Sequence, residues 1–154
     1  MLKKRGKAFF CWLVFFIYII ALVYFLLFAD MLDRTVVSGE YRYNMVLFKE
    51  INRFITYADR LGTKAVLLNL VGNIVAFMPF GFFLPILSGK KLKFIKTTLC
   101  TFAFSLSVEL IQLISRVGSC DVDDLLLNTA GGIAGYICYT LVYAVWHRKR
   151  GKKK

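Results

Sequence analysis

The chain has 154 residues, 58% of them hydrophobic and 19% charged, with a positive mean hydropathy. That is more apolar surface than a soluble core of this size hides, which excludes an ordinary water-soluble domain and points to an all-α membrane protein. A formal net charge of +12 would suit nucleic acid in a soluble chain, but here the cations flank apolar runs, so topology and anionic headgroups account for them and no nucleic-acid partner is expected.

In chain order, the first apolar run is residues 9–28, FFCWLVFFIYIIALVYFLLF, behind Lys3, Lys4, Arg5 and Lys7. It is longer than the core of a secretory signal, and Ala29-Asp30-Met31 is a poor cleavage site, so an uncleaved first membrane helix is expected. Residues 29–64 then form the one non-spanning segment of any length. Within it Leu47, Phe48, Ile51, Phe54, Ile55, Ala58 and Leu61 recur at helical spacing among charged and polar residues. The pattern predicts a short amphipathic helix on the outer face of the membrane or capping the bundle, ended by Gly62.

The second run, 65–87, contains Gly72, Pro79, Gly81 and Pro85. Prolines inside a spanning helix remove backbone hydrogen bonds, so a kink or break near Met78 to Gly81 is predicted. The third and fourth runs are 97–115 and 125–146, and each of the four can cross ~30 Å of hydrocarbon, which takes roughly 20 helical residues. Gly131, Gly132 and Gly135 in the fourth are spaced to let helix backbones approach closely. Neither an internal repeat nor a linker divides the chain, so residues 1–154 are read as one integral membrane domain.

Basic residues fix an orientation. Four lie before the first run, four in the 88–96 link (Lys90, Lys91, Lys93 and Lys96) and six after Trp146, while all nine acidic residues fall elsewhere. Four crossings put these three segments on one side, which the positive-inside rule makes cytoplasmic, so both termini are expected there. Cys11, Cys100 and Cys138 read as apolar filler inside helices, and Cys120 lies alone in an outer loop. With no CxxC or Cys/His spacing, neither a metal site nor a cofactor is expected. His147 reads as a flanking group at the cytoplasmic end.

The polar residues of the spans are concentrated in SVELIQLISRVGSCDVDDLLLN, residues 107–128. On the third helix Ser105, Glu109, Gln112 and Arg116 share one stripe at i, i+4, i+7 and i+11. Asn69 and Asn73 do the same on the second helix, as do Asp121, Asp124 and Asn128 if the fourth helix begins early enough. With ~1.5 Å of rise per residue, all of them fall in the outer half of the bilayer. Glu109 should face the bundle interior, because a lipid-facing charge costs ~3 kcal/mol. Two readings stay open: polar groups bonding helix to helix, at about 0.6 kcal/mol each, or an outward-facing polar site built from Asn69, Asn73, Glu109, Gln112, Arg116, Asp121, Asp124 and Asn128.

NLVGNIVAFMPFGFFLP followed by SVELIQLISRVGSCDVDDLLLNTAGGIAGY resembles the VanZ-like family of small bacterial membrane proteins. The shared features are, in order, a GN-F-P-G helix, an E-x-x-Q helix ending near an Arg, an acidic DD and N-x-x-G-x-x-x-G, and YNMVLFKEI at 43–51 resembles the family's Asn-x-x-x-Phe stretch. The family pattern falls on Asn44, Phe48, Asn69, Asn73, Pro79, Gly81, Pro85, Glu109, Gln112, Arg116, Asp121, Asp124, Asn128, Gly131 and Gly135. Cys120 departs from it, standing where an aromatic or aliphatic residue is expected.

The resemblance implies a multi-pass protein of the bacterial cell membrane with a role in resistance to teicoplanin-type glycopeptides or other envelope-targeting agents. It supplies no mechanism, and the residues leave three open. The polar pocket binds a membrane lipid, a lipid-linked cell-wall component or a lipoglycopeptide antibiotic, with Arg116 on a phosphate or carboxylate. Alternatively, a membrane-embedded enzyme uses Glu109 and Asp124 as catalytic carboxylates on a lipid-linked or lipopeptide substrate, with Asp121 and Asp124 placed to hold a divalent cation. Last comes an assembly role, with the glycine face of the fourth helix joining copies into a homo-oligomer.

Overall fold

The computed structural model describes residues 2–33, 41–116 and 119–151. Residues 34–40, in the middle of the long outer segment, Val117 and Gly118, and the basic tail from Lys152 to Lys154 lie outside the described residues. The elements are α1 (Leu2–Asp33), β1 (Tyr43–Asn44), α2 (Lys49–Thr56), α3 (Ala58–Leu61), α4 (Thr63–Val66), a π-helical turn (Leu67–Val71), α5 (Gly72–Leu87), α6 (Phe94–Ser115), β2 (Cys120–Asp121) and α7 (Val122–Gly151).

Among the described residues, four helices are long and apolar enough to cross a membrane: Ala8–Leu27, Thr63–Leu87, Phe94–Ser115 and Val122–Arg148. Their outward faces carry large apolar side chains such as Phe9, Phe16, Ile95, Ile114 and Leu141, as expected where lipid rather than water is the neighbour. Two short helices, α2 and α3, occupy the region of the amphipathic pattern, and Gly62, at φ 83°, ends the second of them.

Of the kink or break predicted near Met78 to Gly81, the break does not occur. α5 runs unbroken through Pro79 and Pro85, and the irregular backbone lies earlier, at the π turn over Leu67–Val71. Each proline leaves the carbonyl four residues before it, Val75 for Pro79 and Gly81 for Pro85, without its helical N–H; Pro85 and Gly81 are buried, and a membrane bundle tolerates such positions.

α5 and α7 form the seam of the bundle. A Cβ at Gly81 would run into the backbone carbonyl of Gly132, one at Gly131 into that of Ile74, and one at Gly135 into that of Met78. Only glycine allows so close an approach, which is the packing that the small-residue spacing predicted. α6 lies against the same seam with small polar residues: Thr97, Thr101 and Ser105 are fully buried, and Thr101 occupies the space a Cβ at Gly132 would need. Aromatic rings fill the gap toward α1. Phe80 stacks on Phe104 with centroids 4.8 Å apart, Phe77 is fully buried, and Phe15 of α1 meets Phe80 and Phe83.

Two cross-helix contacts fix how α1 runs. The Tyr18 hydroxyl donates to the Ala76 carbonyl at 2.6 Å, and the Gln112 amide donates to the Leu26 carbonyl at 2.9 Å. The C-terminal part of α1 is thus level with the end of α6. At the other end, Lys90 of the α5–α6 turn bonds Tyr143 of α7. The start of α1, the α5–α6 turn and the end of α7 are therefore at one end of the bundle, and the polar residues of 107–128 are toward the other.

Candidate functional site

The polar end is organised around a two-residue parallel bridge. β1 pairs with β2 in the register Tyr43 with Cys120 and Asn44 with Asp121, and the Cys120 N–H donates to the Arg42 carbonyl at 3.1 Å. Two strands this short are not stable by themselves. The Glu109 side chain of α6 and the strands' own Asn44 and Asp121 reinforce them.

Glu109 lies on the buried stripe of α6 and is 3% exposed. Its Oε2 accepts the backbone N–H of Asp121 at 2.9 Å, tying the helix to the bridge. Asp121 Oδ1 in turn accepts from the Asn44 amide at 3.0 Å and from the Asp123 backbone N–H at 2.8 Å. The second of these closes an Asx turn that starts α7. Asn44 Oδ1 accepts the Val46 N–H at 3.2 Å, which turns the chain toward α2.

Asp123 is 1% exposed and takes three backbone donors from the outer loop. Oδ1 accepts from Phe48, and Oδ2 from Glu50 at 2.8 Å and Ile51 at 3.2 Å. The residue at the N-cap of α2, Phe48, is in the left-handed region at φ 63° and supplies no side-chain cap. Asp123 therefore caps α2 from another helix, satisfying N–H groups that the first turn leaves open and placing a carboxylate at the positive end of its dipole.

Below this layer the helices are joined in pairs. Asn73 of α5 donates to Asp124 Oδ1 at 2.7 Å. Asn128 of α7 donates to the Ser105 hydroxyl at 2.9 Å, while its Oδ1 is buried and has no hydrogen-bond partner among the described residues. Gln112 reaches α1 as described. Asn69 is on the π turn, exposed, and its amide donates to the Ala65 carbonyl four residues back.

Arg116 is not on the stripe. α6 ends at Ser115, and Arg116 follows in the left-handed conformation at φ 57° as its C-cap. The exposed side chain donates to the Tyr41 hydroxyl at 3.2 Å, and its guanidinium is 4.5 Å from the centre of that ring, a hydrogen bond and a cation–π contact to the same side chain.

Electrostatics separate the buried layer from this rim. Burial pushes the Asp121 carboxyl above the usual carboxylate range, and the Asp123 charge adds to it, against the opposing pull of the N–H donors and Lys49. Burial also pushes up the Cys120 thiol, with Glu109 and Asp121 adding to the effect, so this cysteine is a poor nucleophile. At the rim the hydrogen bond and charge of Arg116 pull the Tyr41 phenol below its ordinary value.

The predicted residues thus fall into different places. Glu109 and Asp121 meet directly, Asn73 meets Asp124, and Asn128 meets Ser105, while Gln112 bonds α1 and Arg116 and Asn69 are exposed. Asp123 was outside the predicted set, although its place in the first turn of an apolar helix is a sequence signal for a carboxylate near a helix terminus. Among the described residues, no group of three or more His, Cys, Asp or Glu gathers to hold a metal ion.

The sequence profile of the VanZ/LLP1 family matches residues 15–143. Protein VanZ of Enterococcus faecium is 33% identical over 72 residues, which cover 47% of this chain and 44% of that protein. The chain therefore spans less than half the length of the curated relative it matches. No solved structure is significantly similar.

Proposed function

The chain belongs to the VanZ/LLP1 family, and from that premise we propose that it is a VanZ-like factor of the bacterial cell membrane that lowers sensitivity to teicoplanin-type glycopeptides or other envelope-targeting agents. Both termini face the cytoplasm and the polar end faces outward, an orientation supported by the excess of lysine and arginine at the opposite end of the bundle. The polar end binds a lipid, a lipid-linked cell-wall component or a lipidated drug.

The carrying observation is the Asp123 cap on α2. Three N–H groups held by one buried carboxylate fix the outer loop to the first turn of α7, and the β1–β2 bridge fixes the strand before it. Glu109, Asp121, Asp123 and Asp124 are positioning residues in this reading. The groups that meet the ligand are those left exposed at the same end, Arg116 and Tyr41 above all, where a guanidinium pairs with a phosphate or carboxylate. Asn69 supplies a further exposed amide, and Lys49 of α2, also exposed, adds positive charge, while the charge of Arg53 is paired with Glu50 at 2.9 Å.

The test is drug susceptibility in a sensitive Gram-positive host expressing the wild type, R116A, R116K, N69A or D123A, with membrane abundance measured for each. Loss of teicoplanin protection in R116A at unchanged abundance, with partial retention in R116K, is the expected result. Protection by R116A and N69A equal to wild type at equal abundance overturns the rim as a binding surface. A fall in abundance for D123A, with lost protection in proportion, is what a positioning role requires.

A further inference from the structure

At the basic end of the bundle a groove of about 310 Å³ opens between α5 and α7. Its walls are Phe82 and Ile86 of α5 and Tyr139, Val142, Tyr143 and Trp146 of α7, none of which contributes to the polar end. From Tyr139 to Trp146 the wall extends about 10 Å along the helix. The volume is at the lower end of small-ligand sites, about 300 Å³, and its lining is aromatic and aliphatic.

Among the described residues, Lys90 is the cation that lines its mouth. Gly89 and Lys90 follow α5 at φ 60° and φ 69°, and the Lys90 N–H reaches back to the Pro85 carbonyl at 2.8 Å. Two successive left-handed residues close the helix, but the second is a lysine, at a conformation that non-glycine residues adopt infrequently and at an energetic cost. The result is a side chain directed back over the groove. Its Nζ is 2.5 Å from the Tyr143 hydroxyl and 4.0 Å from the centre of the Tyr143 ring. An ammonium has three donors, and that hydroxyl uses one. Lys91, next in the same turn, and Arg148, beyond Trp146, are exposed.

We propose that this groove is a site for an anionic phospholipid of the adjacent leaflet, with the phosphate on Lys90 and part of one acyl chain along Phe82, Ile86 and Val142. Charge complementarity selects the occupant. An apolar wall ending in tyrosine and tryptophan at the level of the headgroups, with a lysine at its mouth and more cations beside it, matches a lipid that is apolar below and negative above. A zwitterionic lipid fits the wall equally well but carries no net charge for Lys90. The site is at the opposite end from the proposed drug-related surface and does not depend on it.

The chain has two tryptophans, so W12F leaves Trp146, a wall residue, as the sole reporter. In vesicles of mixed lipids, quenching of Trp146 by brominated phosphatidylglycerol is compared with quenching by brominated phosphatidylcholine at equal mole fraction. The expected preference for the anionic lipid is about five-fold in relative binding, the contribution of one lysine near a charged surface. In the same background K90N, which tolerates the left-handed backbone, brings the ratio near one, whereas K90R keeps it. A ratio near one in the W12F parent, or one unchanged in K90N, overturns the proposal. A fall in K91N as large as in K90N also overturns it, since surface charge alone would then be the cause.

Discussion

Asp123 Oδ2 accepts the backbone N–H of Glu50 at 2.8 Å across 73 positions of sequence. The first turn of one membrane-length helix thereby supplies the N-cap that a short helix of the outer loop lacks. Replacing Asp123 with alanine removes the acceptor for three donors at once. The expected loss is about 2 kcal/mol or more, since a single cap is worth ~1 kcal/mol and bonds to a charged group more. Limited proteolysis should then cut within residues 41–62 much faster than in wild type, and an unchanged cleavage rate would show that the cap does not hold the loop.

The glycine seam makes a sharper demand. Gly135→Ala would place a methyl group where the Met78 carbonyl already lies, whereas Gly6 has nothing within 4 Å of its would-be Cβ. Overpacking of this kind typically costs about 1–3 kcal/mol, and a clash with backbone is at the upper end. Thermal melting in detergent should fall clearly for G135A and stay at the wild-type value for G6A. Equal melting of the two would mean that α5 and α7 are further apart than described.

Asp121 gives stability a pH dependence opposite to that of most carboxylates. Its folded-state pKa is raised by burial, so the folded chain holds this proton more tightly than the unfolded chain. Stability from this group therefore falls as pH rises through the window from the unfolded value, about 3.9, up to the raised folded one. Acidification from neutral pH toward 4 should raise the melting temperature of wild type relative to D121N, in which the group cannot titrate. A difference that is flat with pH, or that changes in the other direction, would remove the assignment.

Asn73 and Asp124 meet at 2.7 Å between α5 and α7. A double-mutant cycle with N73A and D124A should show a coupling of about 0.5–3 kcal/mol, the range for residues in direct contact. Strict additivity of the two losses would indicate that each acts through other neighbours.

Hydropathy alone located the four membrane-length helices, because a run of apolar residues signals itself within its own window. The polar end was legible only in part. Ser105, Glu109 and Gln112 share a buried face, as their spacing indicates, but Arg116 departs from it because the helix stops one residue earlier and the chain turns left-handed, which no periodicity records. Asp121 likewise precedes α7 instead of joining its face. The role of Asp123 leaves no periodic signal because its partners are the backbone N–H groups of a loop more than 70 positions away, and a two-residue bridge such as Tyr43–Asn44 with Cys120–Asp121 carries too few residues to leave a pattern. Asn44 entered only through the family resemblance, ahead of any physical reason for it.

The π turn at Leu67–Val71 acts as a phase shift along the second crossing. A wider turn rotates everything before it relative to everything after, so the four-residue spacing of Asn69 and Asn73 no longer means a shared face. Asn73 belongs to the angular setting dictated by the glycine seam, and Asn69 to the setting of the segment that leads in from the outer loop. The seam can therefore stay in one alignment while the loop above it takes another, and the two are joined by a single turn of backbone.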